Sequence, residues 1–360
     1  MRERTNGKQI EQLIDLCSAH LWQGEVDEQL SLLAIHNGVA AWCYWRLQNG
    51  HIKGVNESVL KQWKSVYFQN TLQFQRNFAA FLKAKSILEQ YDIPLLALKG
   101  IALASGLFAD DGLRPMSDVD ILVPEGQGKL ALEILLKEGA VPLVVPRSSV
   151  HEDVDAHVRA IKVDGVMLEV HQRLFTLGSV YHTPQIDFFE HTKTYRKYDQ
   201  EVKCLDDEAM VYHLVAHLQK GMQIGGLRLG WLLDIALILQ GVEKLDTFIE
   251  KVITFKPDQR ESLLEVFKMA LLFMPEAQTE IAIDRQALID RITWLMQEHD
   301  QHKLHRFVNL QQLIKVPGLS RKMQLVWYEF FPQKAYMKYR YGAETNLSVC
   351  KMYLKRIFRK

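Results

Sequence analysis

Apolar positions in the first ninety residues recur at three- and four-residue steps. Ile10, Leu13, Ile14, Cys17 and Leu21 form one stripe, and Leu60, Trp63, Tyr67, Phe74, Phe78, Phe81 and Leu88 form a longer one. That period belongs to helices with one buried face, and Asn56 is placed to cap the longer of them. The pattern changes at Asp92-Ile93-Pro94, where a turn admits the apolar run Leu95-Leu96-Ala97-Leu98, a buried strand by its length and flanks. Lys99-Gly100 ends that run, a helix is predicted from Ile101 to Phe108, and the loop 109–115 leads into a second strand, Ser117-Asp118-Val119-Asp120-Ile121-Leu122-Val123. A helix from Lys129 to Glu138 is stopped by Gly139.

Val158 to Val163 and Val166 to His171 flank Asp164-Gly165, a strong hairpin signal. In the second of these strands Met167, Glu169 and His171 share one face, and Val166, Leu168 and Val170 share the other. From Asp206, a helix cap, the helical period returns, with helices predicted to Lys220, at Leu229–Leu239, Thr247–Phe255, Glu261–Phe273 and Gln286–Gln297. The expected organisation is an N-terminal helical region over 1–90, a small α/β domain over 91–204 and a C-terminal helical region over 205–360.

Composition adds bounds. At 360 residues and 48% hydrophobic content the chain can bury one large core or two to three modest ones. No apolar run approaches the roughly 20 residues of a bilayer span, and the polar opening Met1-Arg2-Glu3-Arg4 lacks the apolar core of a secretory leader, so a cytoplasmic protein is expected. Cys17, Cys43, Cys204 and Cys350 are far apart and read as small core residues, with neither a zinc knuckle nor a disulfide framework indicated. A net charge of +1 argues against whole-protein attraction to nucleic acid.

The chemistry concentrates around the second strand. Alternation places Asp118 and Asp120 on one strand face, aimed at one point, while Ile121, Leu122 and Val123 carry the strand into a core. A bare Asp-x-Asp is expected by chance about once in a chain of this size; the Gly turn, helix, loop and apolar continuation around this one give it meaning. Paired carboxylates of this kind hold Mg²⁺ or Mn²⁺, and such ions serve phosphoryl and nucleotidyl transfer, where charge must be neutralised and oxygens placed in line.

From about Ile93 to Asp234 the chain resembles the uncharacterised nucleotidyltransferase family of the polymerase-beta-like nucleotidyltransferase superfamily. The resemblance rests on Leu98-Lys99-Gly100, on Leu113-Arg114-Pro115 with Ser117 to Val123, on Leu168-Glu169-Val170-His171, and on Arg228 through Trp231 to Asp234. It implies an α+β fold: a small mixed β-sheet nucleotidyltransferase core with helices, flanked by helical regions. It also implies metal ligands at Asp118, Asp120 and Glu169, with nucleotide phosphates near Gly100. The activity implied is metal-dependent transfer of a nucleoside monophosphate from a nucleoside triphosphate to an unidentified acceptor, with release of pyrophosphate. The chain departs from the superfamily where Gly100 is followed by Ile101 instead of a second Gly or a Ser, and in the longer interval from Gly100 to Asp118. That departure motivates an alternative, a catalytically silent nucleotide- or partner-binding module with the same fold.

Other residues carry two readings each. Lys99 is a candidate phosphate cation or a solvated lysine; Arg114 grips a phosphate or braces Asp118; Ser117 binds a phosphate or its own backbone. His171 touches substrate or orients the carboxylate, or is a structural histidine, the last being favoured. Arg228 and Asp234 form a salt bridge that fixes the C-terminal helices or contact the substrate. His213 and His217 have zinc-compatible spacing without the Glu of the zincin pattern, and His151, Asp153, Asp155 and His157 read as a polar approach to the hairpin. The basic, aromatic segment from Lys303 onward either binds nucleic acid or is helix core with a solvated basic face, the second being favoured.

Overall fold

The computed structural model describes residues 6–18, 20–224, 226–297, 313–342 and 348–353. The described residues fall into two compact units. One gathers those of Met1–Ala79, Leu96–Ser117 and Thr183–His305; the other gathers those of Ala80–Leu95, Asp118–His182 and Arg306–Lys360.

The first unit is mostly helical. Its opening helices are α1 (Gly7–Ser18), α2 (Glu28–His36), α3 (Ala40–Gln48) and the start of the 33-residue α4 (Glu57–Glu89). Asn56 caps α4, its Oδ1 accepting from the Val59 amide at 2.9 Å. The stripe on α4 is core: Trp63, Phe74, Phe78, Phe81 and Leu88 are all buried. Three strands follow in the order β1 (Leu96–Ala97), β7 (Gln200–Leu205), β6 (Thr192–Lys197), with β1 parallel to β7 and β6 antiparallel to it. Helix α5 (Lys99–Gly106) packs on this sheet so closely that a Cβ at Gly106 would stand 2.2 Å from the Tyr195 ring. The unit is completed by α8 (Asp207–Ile224), α9 (Leu229–Gln240), α10 (Leu245–Thr254), α11 (Arg260–Leu271) and α12 (Arg285–Met296), within a residue or two of the starts expected from periodicity. Asp206 caps α8 as its position predicts, accepting from the Ala209 amide.

The β6–β7 hairpin carries no turn signal in the sequence. Its turn is Tyr198-Asp199, both in the left-handed region at φ 50° and 59°, a conformation that Asn-Gly adopts at far lower cost. Packing holds it instead. The Tyr198 ring lies against Phe74 and Phe78, and its hydroxyl donates to Asp111, which also pairs with Lys197.

The second unit carries four strands in the order β3 (Val141–Pro142), β4 (Ile161–Val163), β5 (Val166–His171), β2 (Val119–Leu122). The β4–β5 hairpin turns at Asp164-Gly165 with φ 48° and 82°, the pair of positive angles that a two-residue type I′ turn requires. Strand β5 is antiparallel to β4 and parallel to β2. Helices α6 (Gly128–Lys137) and α7 (Ser149–Val154) flank these strands. The string His151 to His157 is therefore not an extended approach to a hairpin: Ser148 caps α7, and its first residues are helical. Of the basic C-terminal segment, the helices Leu319–Phe330 and Lys334–Tyr341 are described, with Leu325 and Met337 buried and Trp327, Phe330 and Tyr339 exposed. Its last basic run, Lys355 to Lys360, lies outside them. Three cysteines are buried as expected, whereas Cys350 is exposed. No helix among the described residues is long and apolar enough to cross a membrane.

Candidate functional site

Strand β2 is buried along its whole length, so each of its residues must be apolar or satisfied. Asp120 is the polar one, 6% exposed. The parallel register pairs Asp120 with Glu169 and Leu122 with His171. Directly paired residues of adjacent strands point to the same face, and His171 shares that face two residues beyond Glu169. His171 Nε2 lies 2.9 Å from Asp120 Oδ1 and 3.7 Å from Glu169 Oε2. A carboxylate only accepts, so His171 donates from Nε2 to Asp120. His171 is buried, while the Glu169 side chain is 22% exposed at the opening of the group.

Among the described residues, Asp120, Glu169 and His171 are the one set of three metal-ligating side chains whose donor atoms all lie within 4.8 Å of one another. Two carboxylates and an imidazole at that spacing fit a divalent cation: each offers one donor, and with the imidazole neutral the set carries two negative charges. Asp118 stands one residue before β2, in a bend, half-buried and outside that trio. Strict alternation with Asp120 does not extend to it because the strand starts at Val119.

A second constellation lies in the helical unit. Lys99 opens α5 with φ 39°, and Gly100 follows at the helix N-terminus, where backbone amides face outward. Arg114 braces a carboxylate, and that carboxylate is Asp234 of α9. Its guanidinium forms a forked ion pair there: Nε donates to Oδ1 at 3.0 Å and Nη2 to Oδ2 at 2.9 Å. The third nitrogen, Nη1, lies beside Gly100, where an added Cβ would stand 3.2 Å from it. Asp234 is buried; burial pushes its carboxyl above the ordinary range and Arg114 pulls it partway back. The structure replaces the expected Arg228–Asp234 salt bridge: the cation on Asp234 is Arg114, which matches both of its oxygens, while Arg228 sits over the Trp231 ring at 5.7 Å. Ser117 is exposed just before the acidic strand. His213 and His217 stack within the helical unit, His217 against Trp231, and gather no third ligand among the described residues.

Two further residues stand near the trio: His157, which the sequence marks only as part of the polar string 151–157, and Arg173, which it does not mark. His157 bridges His171 across the strands. Arg173, two residues after His171, donates from Nη1 to the carbonyls of Asp153 and Asp155 and pairs with Glu125, tying the exit of α7 to the end of β5. The alternation of β5 continued past His171 would have flagged Arg173; the string 151–157 flagged His157 as polar, without showing that it meets His171.

A family model described as "Uncharacterised nucleotidyltransferase" matches residues 25–256, a span that holds every residue of both constellations. No curated protein matches the chain. Among solved structures the chain is similar to the antibiotic-resistance factor ANT(2'')-Ia in its solution structure, at 13% identity over 55% of this chain and 96% of that one, TM-score 0.37. It is also similar to ANT(2'')-Ia crystallised with adenylyl-2''-tobramycin, at 12% identity over 49% and 95%, TM-score 0.36. A third likeness is to an antigenic nucleotidyltransferase-like protein from Paracoccidioides brasiliensis, at 18% identity over 55% and 92%, TM-score 0.28. The assignment rests on the family model, which spans more than half of the 360 residues. The chain belongs to the uncharacterised nucleotidyltransferase family.

Proposed function

We propose that this protein transfers a nucleoside monophosphate from a nucleoside triphosphate to an acceptor hydroxyl or phosphate, and that the reaction depends on Mg²⁺ or Mn²⁺. The observation that carries the reading is the convergence of Asp120, Glu169 and His171 on paired strands, in a chain of a nucleotidyltransferase family. Asp118, Asp120 and Glu169 would hold the cation, which when bound neutralises phosphate charge and sets the reacting oxygens in line.

The remaining roles belong to the protein's own groups. Lys99, the amides after Gly100, Ser117 and Arg114 bind the phosphates, with Asp234 fixing the plane of the Arg114 guanidinium so that Nη1 stays beside Gly100. The acceptor oxygen bonds to the α-phosphorus, the bond from that phosphorus to the bridging oxygen breaks, and pyrophosphate leaves. Glu169, the more open of the two clustered carboxylates, takes the acceptor's proton. Before the cation binds, His171 holds Asp120 in place through its Nε2 hydrogen bond, and Arg228 stays a candidate contact for the acceptor.

The test is pyrophosphate release from each of the four triphosphates with Mg²⁺ or Mn²⁺, using a cell metabolite extract as acceptor, beside the Asp118→Asn/Asp120→Asn variant. Metal-dependent release that the variant lacks supports the proposal. Nucleotide binding without release under any of these conditions supports a silent module instead.

A further inference from the structure

The strand pairing that sets Asp120 beside Glu169 brings a second imidazole to the same place. His157 and His171 form an antiparallel bridge, and their rings meet edge to face with centroids 5.3 Å apart. His157 Nδ1 lies 2.9 Å from the Val158 carbonyl oxygen. A carbonyl only accepts, so in the neutral ring Nδ1 carries the proton and Nε2 presents its lone pair. That nitrogen faces the cluster, 3.8 Å from Glu169 Oε2, the same oxygen that His171 Nε2 faces at 3.7 Å. A backbone carbonyl that takes the N–H of one ring nitrogen and leaves the lone pair of the other for a cation is the usual arrangement of a metal-ligating histidine.

The spacing suits one ion. Ligands held tetrahedrally at about 2.0–2.1 Å stand about 3.3 Å from one another. The separations here, 2.9 Å from His171 to Asp120, 3.7 Å from His171 to Glu169 and 3.8 Å from His157 to Glu169, straddle that value. His157 stands outside the set whose donors all lie within 4.8 Å of one another, so coordination draws its exposed ring inward past Glu169 and takes the proton from His171 Nε2, and proton release is a normal part of such binding. The donor chemistry is mixed. Mg²⁺ favours oxygen ligands and retains water, whereas imidazole nitrogen favours transition-metal ions.

Resting on the metal-dependent reading above, we infer that His157 is a further ligand of this centre, and that the centre binds a divalent transition-metal ion in preference to Mg²⁺. The His157 side chain is 40% exposed and the Asp120 side chain 6%. His157 therefore sits at the open side of the group, where its replacement leaves the core intact.

The experiment uses the full chain stripped of metal by a chelator, with Co²⁺ and Mg²⁺ titrated separately by calorimetry and the visible absorption of bound Co²⁺ recorded. Co²⁺ is expected to bind about a hundredfold more tightly than Mg²⁺. His157→Ala and the bulkier His157→Gln should each weaken Co²⁺ by about ten- to a hundredfold and shift its absorption, with Mg²⁺ affinity held within about twofold. Equal affinity for the two ions, or Co²⁺ binding and absorption unchanged in both variants, overturns the inference. Pyrophosphate release by the unmodified protein is read in parallel. Release with Mg²⁺, together with Co²⁺ binding indifferent to His157, removes the histidine ligand and leaves nucleotidyl transfer standing. A His157-dependent Co²⁺ site with no release from any triphosphate does the reverse.

Discussion

Asp234 and Asp120 are both buried aspartates held by a nitrogen donor, yet they stand in opposite situations. Asp234 meets a guanidinium that is always charged and matches both of its oxygens, so the pair is neutral as a unit. Asp120 meets an imidazole through one oxygen, with a second carboxylate 3.7 Å from that same nitrogen and a second imidazole at the open side. With neutral rings, the latter group has an excess of negative charge and donors pointing inward. Burial of an acid is therefore not in itself a mark of function; a carboxylate matched to one guanidinium fastens the fold, whereas carboxylates and imidazoles that converge offer the donor set of a cation.

The largest expected effect tests the open group. Asp118→Asn/Asp120→Asn should lower transfer by at least about a thousandfold, roughly 4 kcal/mol of transition-state stabilisation. Its circular dichroism and urea midpoint should stay near those of the unmodified protein, because the amide replacing the Asp120 carboxylate keeps an oxygen for His171. Retained turnover would sink the proposed function. The closed pair should behave in the opposite sense: Asp234→Ala strands the Arg114 charge in a buried place and should cost about 3–5 kcal/mol, read as a shift in urea midpoint at constant slope. Replacing both partners, Arg114→Met with Asp234→Leu, should recover most of that loss, and a double variant as unstable as the single would break the comparison.

Acidity sharpens it further. Burial raises the Asp234 carboxyl despite Arg114, so the native state binds its proton more tightly than the unfolded chain does. The stability that follows is fully present below the unfolded carboxylate pKa and is lost as pH rises through the folded value. Subtracting the profile of Asp234→Asn from that of the unmodified protein should leave a curve that falls with pH; a rising curve would mean that the ion pair outweighs the burial.

A smaller effect probes the frame around the open group. At Gly128 an added Cβ would stand 2.7 Å from the Gln172 Cβ, next to His171, and neither atom can swing away. Gly128→Ala should cost about 1–3 kcal/mol in thermal or urea unfolding, and a neutral result would show that the end of β5 is softer than its hydrogen bonds suggest. The smallest effect is read with a thiol reagent. Exposed Cys350 should react at once, while Cys17, Cys43 and Cys204 stay slow; burial raises the Cys43 thiol and pushes that of Cys204 up to about 12. Those three lie in the unit of Asp234, so their labelling should quicken in Asp234→Ala and not in Asp120→Asn. Equal acceleration in both variants would erase the distinction between the two regions.

Much of this was legible in the chain. The stripe of α4, the Asn56 and Asp206 caps, the Asp164-Gly165 hairpin and the helices α9 to α12 are local matters of period, capping and turn chemistry, and they stand within a residue or two of where the pattern puts them. The β6–β7 hairpin was not legible, because its Tyr198-Asp199 turn is held by contacts with Phe74, Phe78 and Asp111, each distant in sequence. The same division runs through the site. Residue types and alternation singled out Asp118 and Asp120 and set Glu169 and His171 on one strand face, and the family resemblance added Glu169 as an expected ligand, since a two-residue period decides which side chains share a face. Which of them meet was decided by register: pairing β2 with β5 set Asp120 opposite Glu169, the bridge from His171 brought in His157, and packing gave Arg114 a partner in Asp234, 120 residues away. Periodicity is a property of neighbours along the chain, whereas partner choice depends on strand order and packing, which no local pattern encodes.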